Sequence, residues 1–228
     1  MKRAVIIIGG DAPDGAFINK VCRWADLVIA ADSGVEVAAA AGVTPSVVVG
    51  DFDSVSRERS RELFPRAAQE AAAAAKDETD TELAVAYARR WGYACCDVVG
   101  GGGGRVDHLL ANLALMERPD GPDRWFTNAA DIRRVDQYLV VSPPEGDTVS
   151  VFPCGGVPGL ARSSGLRWPL DGIVWSRGVH GVSNEVVGSA VEIWVDSGAL
   201  LVVLPISDAA ASEPCRRAGT EAEGEDNR

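Results

Sequence analysis

No apolar run in this 228-residue chain approaches the roughly 18 residues that a membrane-spanning helix needs. The nearest thing to a secretory leader is Ala4-Val5-Ile6-Ile7-Ile8 behind a short basic start. It is cut off at once by Gly9-Gly10-Asp11, too soon for a leader, and it reads as a first buried strand. Positive charge is also in short supply. There are 22 Lys and Arg against 33 Asp and Glu, a net charge of -11, which repels phosphate backbones and excludes general nucleic-acid binding. The five cysteines are odd in number and match no zinc spacing. Cys95 and Cys96 sit in an apolar run as buried strand residues, and a reducing cytoplasm suits the set. Two nucleotide signatures are missing as well. No Gly-Lys-Ser/Thr closes the glycine run at 100–104, so there is no P-loop. No clean Gly-x-Gly-x-x-Gly precedes an acidic residue about 20 positions on, which argues against a dinucleotide-dependent oxidoreductase.

What is present is a soluble globular composition, 46% hydrophobic and 24% charged. Short Val/Ile-rich runs at 5–8, 27–31, 47–49 and 97–99 read as buried parallel strands. Helical patterns lie between and after them, at 14–24, 35–41, 57–64, 80–91 and 106–117. Strand and helix in alternation predict an α/β fold with a doubly wound, mostly parallel sheet over residues 1–120. A breaker cluster at 117–123 ends this texture. Short strand-like pieces follow at 124–127, 132–135, 138–141, 148–152, 156–162, 181–187, 190–195 and 200–204. They predict an all-β sandwich or small barrel over 121–206. Residues 207–228, acidic and nearly without apolar side chains, are expected to be a disordered tail. The alanine run at 71–75 favours helix where its position wants a strand.

Four clusters carry chemistry, each at the C-terminal end of an expected strand, where open α/β sheets bind ligands. In Ala30-Ala31-Asp32-Ser33-Gly34, Asp32 either meets a ligand or caps the next helix. In Gly50-Asp51-Phe52-Asp53-Ser54, two carboxylates one residue apart point the same way if the chain stays extended. Together they ask for a cation, and hard oxygen ligands select Mg²⁺; the other reading is a polar turn capped by Ser54. In Lys76-Asp77-Glu78-Thr79-Asp80, Thr79 and Glu82 make a capping box that starts a helix at Asp80. Asp80 then either serves the helix dipole or joins the metal cluster, with Lys76 neutralising phosphate. In residues 100–108, glycines between a strand and a helix bring backbone N–H groups close to phosphate. Arg105 would clamp phosphate through its guanidinium fork, and Asp107 would orient Arg105 or meet substrate. His108 is read as an ordinary helix-start residue.

Taken in order, these stretches resemble the thiamine pyrophosphokinase family, and the resemblance runs over residues 5–205. The matching segments are Ala31-Asp32-Ser33-Gly34, Gly50 to Ser54, Lys76 to Asp80 and Gly103 to His108. In the second half Gly165 to Leu170 (Gly-Leu-Arg-Trp-Pro-Leu) and Gly181 to Glu185 (Gly-Val-Ser-Asn-Glu) match too. The resemblance implies an α/β domain, a β-sandwich and a homodimer, with ATP and thiamine as substrates and AMP and thiamine diphosphate as products. It assigns Asp51, Asp53 and Asp80 to Mg²⁺-ATP, and places Asp32, Asp77, Arg105 and Asp107 around the phosphates and the acceptor. The ATP-binding set is then Asp32, Lys76, Thr79, Gly102, Gly103, Gly104 and Arg105. Asp107, Ser183 and Asn184 fall on the thiamine side. The chain has Ser33 where the family commonly has Gly, Glu36 where many relatives have Asn, and Val186 where many have an aromatic. Trp168, Trp175 and Trp194 are candidates to replace that ring. Diphosphate transfer to another alcohol, such as a hydroxymethyl pterin, and a non-catalytic nucleotide or thiamine-diphosphate binding module are the alternatives.

Overall fold

The computed structural model describes residues 1–71 and 78–213, and among these the chain forms two compact units. The first comprises Met1–Arg134 and the return segment from Val202; the second is Val135–Leu201.

The first unit contains β1 (Arg3–Ile7), α1 (Gly15–Cys22), β2 (Leu27–Ala31), α2 (Gly34–Ala41), β3 (Val47–Gly50), α3 (Arg57–Leu63), β4 (Ala68–Ala71), α4 (Asp80–Arg90), β5 (Cys95–Val99), α5 (Val106–Glu117), β6 (Arg124–Phe126) and β7 (Ala130–Val135). The strand order is β4-β3-β2-β1-β5-β6-β7. Every pairing is parallel except β6 with β7. The change of texture at 117–123 therefore does not separate the units. It marks the end of α5, and β6 and β7 still add to the first sheet, with Trp125 and Phe126 buried.

The central strands are covered on both faces, which is why β1 after Arg3, β2 and β3 are apolar throughout. Val5 and Ile7 pack with Phe17, Ile18 and Val21 of α1 and Val35 and Ala38 of α2. Each of these larger side chains contributes about 1.5–3 kcal/mol by burial. The alternate residues Ala4 and Ile6 face the other side, where α4 lies against β1, β2 and β3 with Ala84, Val85 and Ala88 buried. Local chemistry sets the helix starts. Asp14 accepts from Phe17 N at 2.8 Å, and Ser56 accepts from Arg59 N at 3.2 Å. The expected capping box is formed, with Thr79 Oγ1 accepting from Glu82 N at 3.2 Å and Glu82 Oε2 from Thr79 N at 2.7 Å. Helix α5 buries Asn112, Leu115 and Met116, while Leu110, apolar in type, is 56% exposed.

The chain runs from β1 outward to β4, then jumps back to place β5 on the other side of β1. The β1/β5 boundary is thus a topological switch point, where the loops leave in opposite directions and open a crevice.

The second unit is antiparallel β: β8 (Tyr138–Val141), β9 (Thr148–Cys154), β10 (Ala161–Ser164), β11 (Gly181–Glu185), β12 (Val191–Val195) and the start of β13 (Ala199–Pro205). β12 pairs with β8 and β10, and β9 with β11. The alternating Val149 and Val151, and Val191, Ile193 and Val195, are buried, as a half-solvated sheet requires.

The tail expected from Ser207 begins instead as a short helix, α6 (Asp208–Ser212), capped by Ser207. Two small apolar residues explain it: Ala210 and Ala211 are buried with the α1 cluster. Lys20 pairs with Asp208 at 2.7 Å, and Glu213 pairs with Arg133 at 2.6 Å.

Candidate active site

A cleft of about 390 Å³ opens in the first unit at the switch point. Gly9, Gly10 and Asp11 after β1 form one wall, and Gly101, Gly103, Gly104 and Arg105 after β5 form another. Asp32 and Ser33 after β2, Ser54, and Thr79 to Thr81 at the start of α4 complete it.

Asp32 lies at the end of β2 with φ of 46°, a left-handed conformation that a non-glycine residue adopts only when its surroundings hold it there. It does not cap α2, whose N-cap is Ser33 with no side-chain cap bond. Its Oδ1 is buried and has no hydrogen-bond partner, an arrangement that disfavours the free protein and favours a ligand. Ser33 packs tightly on the β1 loop: a methyl group at Gly9 would overlap Ser33 Oγ. That contact accounts for glycine at position 9.

Asp51 and Asp53 are not set out along an extended strand. Phe52 between them has φ of 65°, and Asp51 Oδ1 accepts from Asp53 N at 3.1 Å. The loop is a turn closed by an aspartate on its own backbone, so the expectation of two parallel carboxylates fails at Phe52. Ser54 Oγ donates to Asp53 Oδ1 at 3.0 Å; the helix cap is Ser56. Asp80 does come close. The position of a Cβ at Gly50 lies 3.6 Å from the Asp80 carboxyl carbon and 3.5 Å from Asp32 N, so Gly50 joins Asp32 and Asp80 across the end of β3. Among the described residues no three His, Cys, Asp or Glu side chains converge as a ready metal site. Lys76 and Asp77 lie outside the described residues.

The glycine loop divides its labour. A Cβ at Gly100 would strike Ile8 O, one at Gly102 would strike Asn128 Oδ1, and one at Gly103 would strike Asp11 Oδ2. Gly102 N donates to Asp11 O at 2.8 Å. These glycines let the two crevice walls touch. Gly104, with φ of 78°, faces open space and continues into the N-terminus of α5, where anions are favoured. Arg105 is 70% exposed and forms a two-pronged ion pair with Asp107. The hydrogen bonds from Arg105 hold the Asp107 carboxyl down at about 2, and the pair raises the Arg105 guanidinium in turn.

In the second unit, Ser183 on β11 has φ of 59°, is exposed, and its N donates to Ser150 Oγ at 3.1 Å. Asn184 is buried. Its Oδ1 accepts from Trp168 N at 3.1 Å and Glu185 N at 2.9 Å, and its Nδ2 donates to Trp168 O at 2.6 Å. Its amide is committed to the protein, and what it presents is Trp168, 57% exposed. Trp175 and Val186 are core, and Trp194 packs on Tyr138 with ring centroids 5.3 Å apart.

Sequence reasoning passed over Gly9 to Asp11 as a simple strand end, and over Asn112 altogether. The glycine pair after the first strand was the available signal for the former. His108 and Asn112, four residues apart on α5, both line the cleft.

Residues 18–124 match the family model for the thiamin pyrophosphokinase catalytic domain, and residues 134–200 that for the thiamin pyrophosphokinase vitamin B1 binding domain. A thiamine pyrophosphokinase of Bacillus subtilis is 35% identical over 220 residues, covering 89% of this chain and 98% of the relative. Among solved structures, a thiamin pyrophosphokinase family protein of Enterococcus faecalis superposes with a TM-score of 0.72 at 24% identity, over 91% of this chain and 100% of that one. The thiamin pyrophosphokinase of Geobacillus thermodenitrificans gives 0.71 at 24% identity, over 92% and 100%. These two likenesses speak for the fold.

Proposed function

The chain belongs to the thiamin pyrophosphokinase family, and from that premise we propose that it transfers the terminal diphosphate of ATP to thiamine, releasing AMP and thiamine diphosphate. The observation that carries the reading is the cleft at the β1/β5 switch point, where the unpaired Asp32 oxygen, Asp80, Arg105 and the α5 N-terminus meet. Carboxylates together with a guanidinium and a helix N-terminus suit a phosphate chain that arrives with a divalent cation.

Mg²⁺ fits the residues present. Asp32 keeps one buried oxygen without a partner, and Asp80 lies across Gly50 from it. Mg²⁺ takes one or two carboxylates, with waters and phosphate oxygens filling the rest, so a three-acid cage is not required. Asp80, Asp51 and Asp53 are the proposed holders, with Asp32 beside them. Bound there, the ion would neutralise charge on the phosphates.

The chain's own groups do the remaining work, which is positioning. Arg105, kept in one orientation by Asp107, grips a phosphate oxygen. Gly103 and Gly104 bring backbone close to the phosphates, while Gly102 has its N–H engaged by Asp11. Thr79 fixes the first turn of α4 and with it Asp80. The thiamine hydroxyl attacks the β-phosphorus and AMP departs. Asp107, held at about 2 by Arg105, is a weak proton acceptor near neutral pH, and its role is to orient. On the acceptor side, Ser183 and the ring of Trp168 are the proposed contacts, with Asn184 behind them.

We also propose a homodimer in the cytoplasm. Val106 and Leu110 are exposed on α5 next to Arg105, an apolar pair beside the cleft that a second copy would cover. Among the described residues no helix is long and apolar enough to cross a membrane. The function is tested with an acceptor panel: ATP and Mg²⁺ with thiamine, with a hydroxymethyl pterin, or with neither. AMP release with thiamine alone supports the proposal; release with the pterin alone moves the acceptor. Silence in every well while ATP still binds indicates a binding module.

A further inference from the structure

Asn112 stands out on α5. It is only 9% exposed and sits on the helix face that carries the core residues Leu115 and Met116. A side-chain amide buried among apolar residues normally finds a hydrogen-bond partner in the protein. The Asn112 amide has no hydrogen-bond partner among the described residues; it is not one of the fully enclosed unpartnered groups, so it is open to the cleft that it lines one turn after His108. Its Nδ2 lies against the Cα of Gly101, close enough that a Cβ there would come within 2.8 Å. Gly101 has φ of 72°, so the loop is shaped to pass the amide with no side chain in between.

We infer that Asn112 is a ligand-recognising residue whose amide pairs with the edge of a heterocycle bearing an amino group next to a ring nitrogen. The amide offers one donor and one acceptor side by side. That edge offers the complement, an N–H donor and a nitrogen acceptor, the pairing by which Asn reads adenine. An isolated phosphate would satisfy only the donor and leave the amide oxygen unpaired. The inference rests on the cleft being the site of ATP and thiamine. Both substrates carry this edge: adenine at its 6-amino group and thiamine at its 4-aminopyrimidine.

The experiment is a cycle between the residue and the amino group. Wild type, Asn112→Ala and Asn112→Asp are assayed with ATP against purine riboside triphosphate, which lacks the 6-amino group. They are also assayed with thiamine against its 4-deamino analogue. Asn112→Asp keeps the shape of the side chain, so a packing defect in Asn112→Ala does not stand in for lost recognition. The expected result is about a tenfold loss of kcat/KM for wild type with one analogue, and about the same loss for each variant with the intact substrate. The variants should then lose nothing more with that same analogue. The arm that shows this coupling identifies the source as nucleotide or acceptor. An active wild type with additive losses in both arms overturns this inference alone. A wild type that releases no AMP overturns the functional reading and this inference with it.

Discussion

The side-chain amide of Asn184 holds Trp168 by both of its backbone polar groups, accepting from the N–H at 3.1 Å and donating to the carbonyl at 2.6 Å. A buried residue thereby fixes an exposed ring, which joins a packing fact to the proposed acceptor site. Asn184→Ala should lower stability by about 1–3 kcal/mol, because two backbone groups lose their partner. It should also raise KM for thiamine more than it lowers kcat. Denaturant unfolding and steady-state kinetics check the two halves, with Trp168→Ala expected to raise KM at little change in stability.

Arg105 and Asp107 make a different kind of pair, exposed and two-pronged. The Asp107 carboxyl is pulled below its ordinary value to about 2. A depressed carboxylate keeps its interaction above its unfolded value, near pH 4, and loses it only as pH falls towards 2. The acid limb of the rate profile between pH 5 and 7 should therefore belong to another group. Asp107→Asn should leave that limb in place and leave the melting temperature unchanged, while kcat/KM falls because Arg105 is no longer oriented. A pH–rate profile of both proteins decides it.

The carboxylates at the ends of β3 and α4 should each be indispensable. Asp51→Asn, Asp53→Asn and Asp80→Asn are expected to lower kcat by about 10²-fold or more with circular dichroism unchanged. They should also weaken Mn²⁺ binding in the presence of ATP, read by electron paramagnetic resonance. Near-normal turnover in any one of them would remove that residue from the proposed set.

The C-terminal segment should matter for stability. Deleting residues 207–228 removes the burial of Ala210 and Ala211 and one ion-pair partner of Arg133, which keeps Asp131. The expected loss is about 1–3 kcal/mol, visible as a lower melting temperature, with kcat unchanged at temperatures where the truncated protein stays folded.

Much of this architecture was legible because local and global signals agree. The Val/Ile runs ending in Gly or Asp became β1, β2, β3 and β5, and the Thr79/Glu82 box starts α4 as read. The failures have particular causes. Phe52 is a bulky residue, and nothing in its type announces a left-handed φ, so the two flanking aspartates looked extended. Gly9 and Gly10 become a wall of the cleft only because β5 pairs with β1, a long-range fact. On α5, Leu110 and Asn112 both contradict hydrophobicity: the leucine faces outward beside the cleft and the asparagine inward. Ala210 and Ala211 are too small to register as core until α1 is seen against them.

The central claim is that a diphosphate group moves in one piece. The most direct measurement follows the products of ATP, Mg²⁺ and thiamine by phosphorus NMR. The account predicts AMP and thiamine diphosphate in equal amounts, with no ADP and no thiamine monophosphate at any time. ADP appearing together with thiamine monophosphate would contradict it, because the cleft would then be transferring a single phosphoryl group.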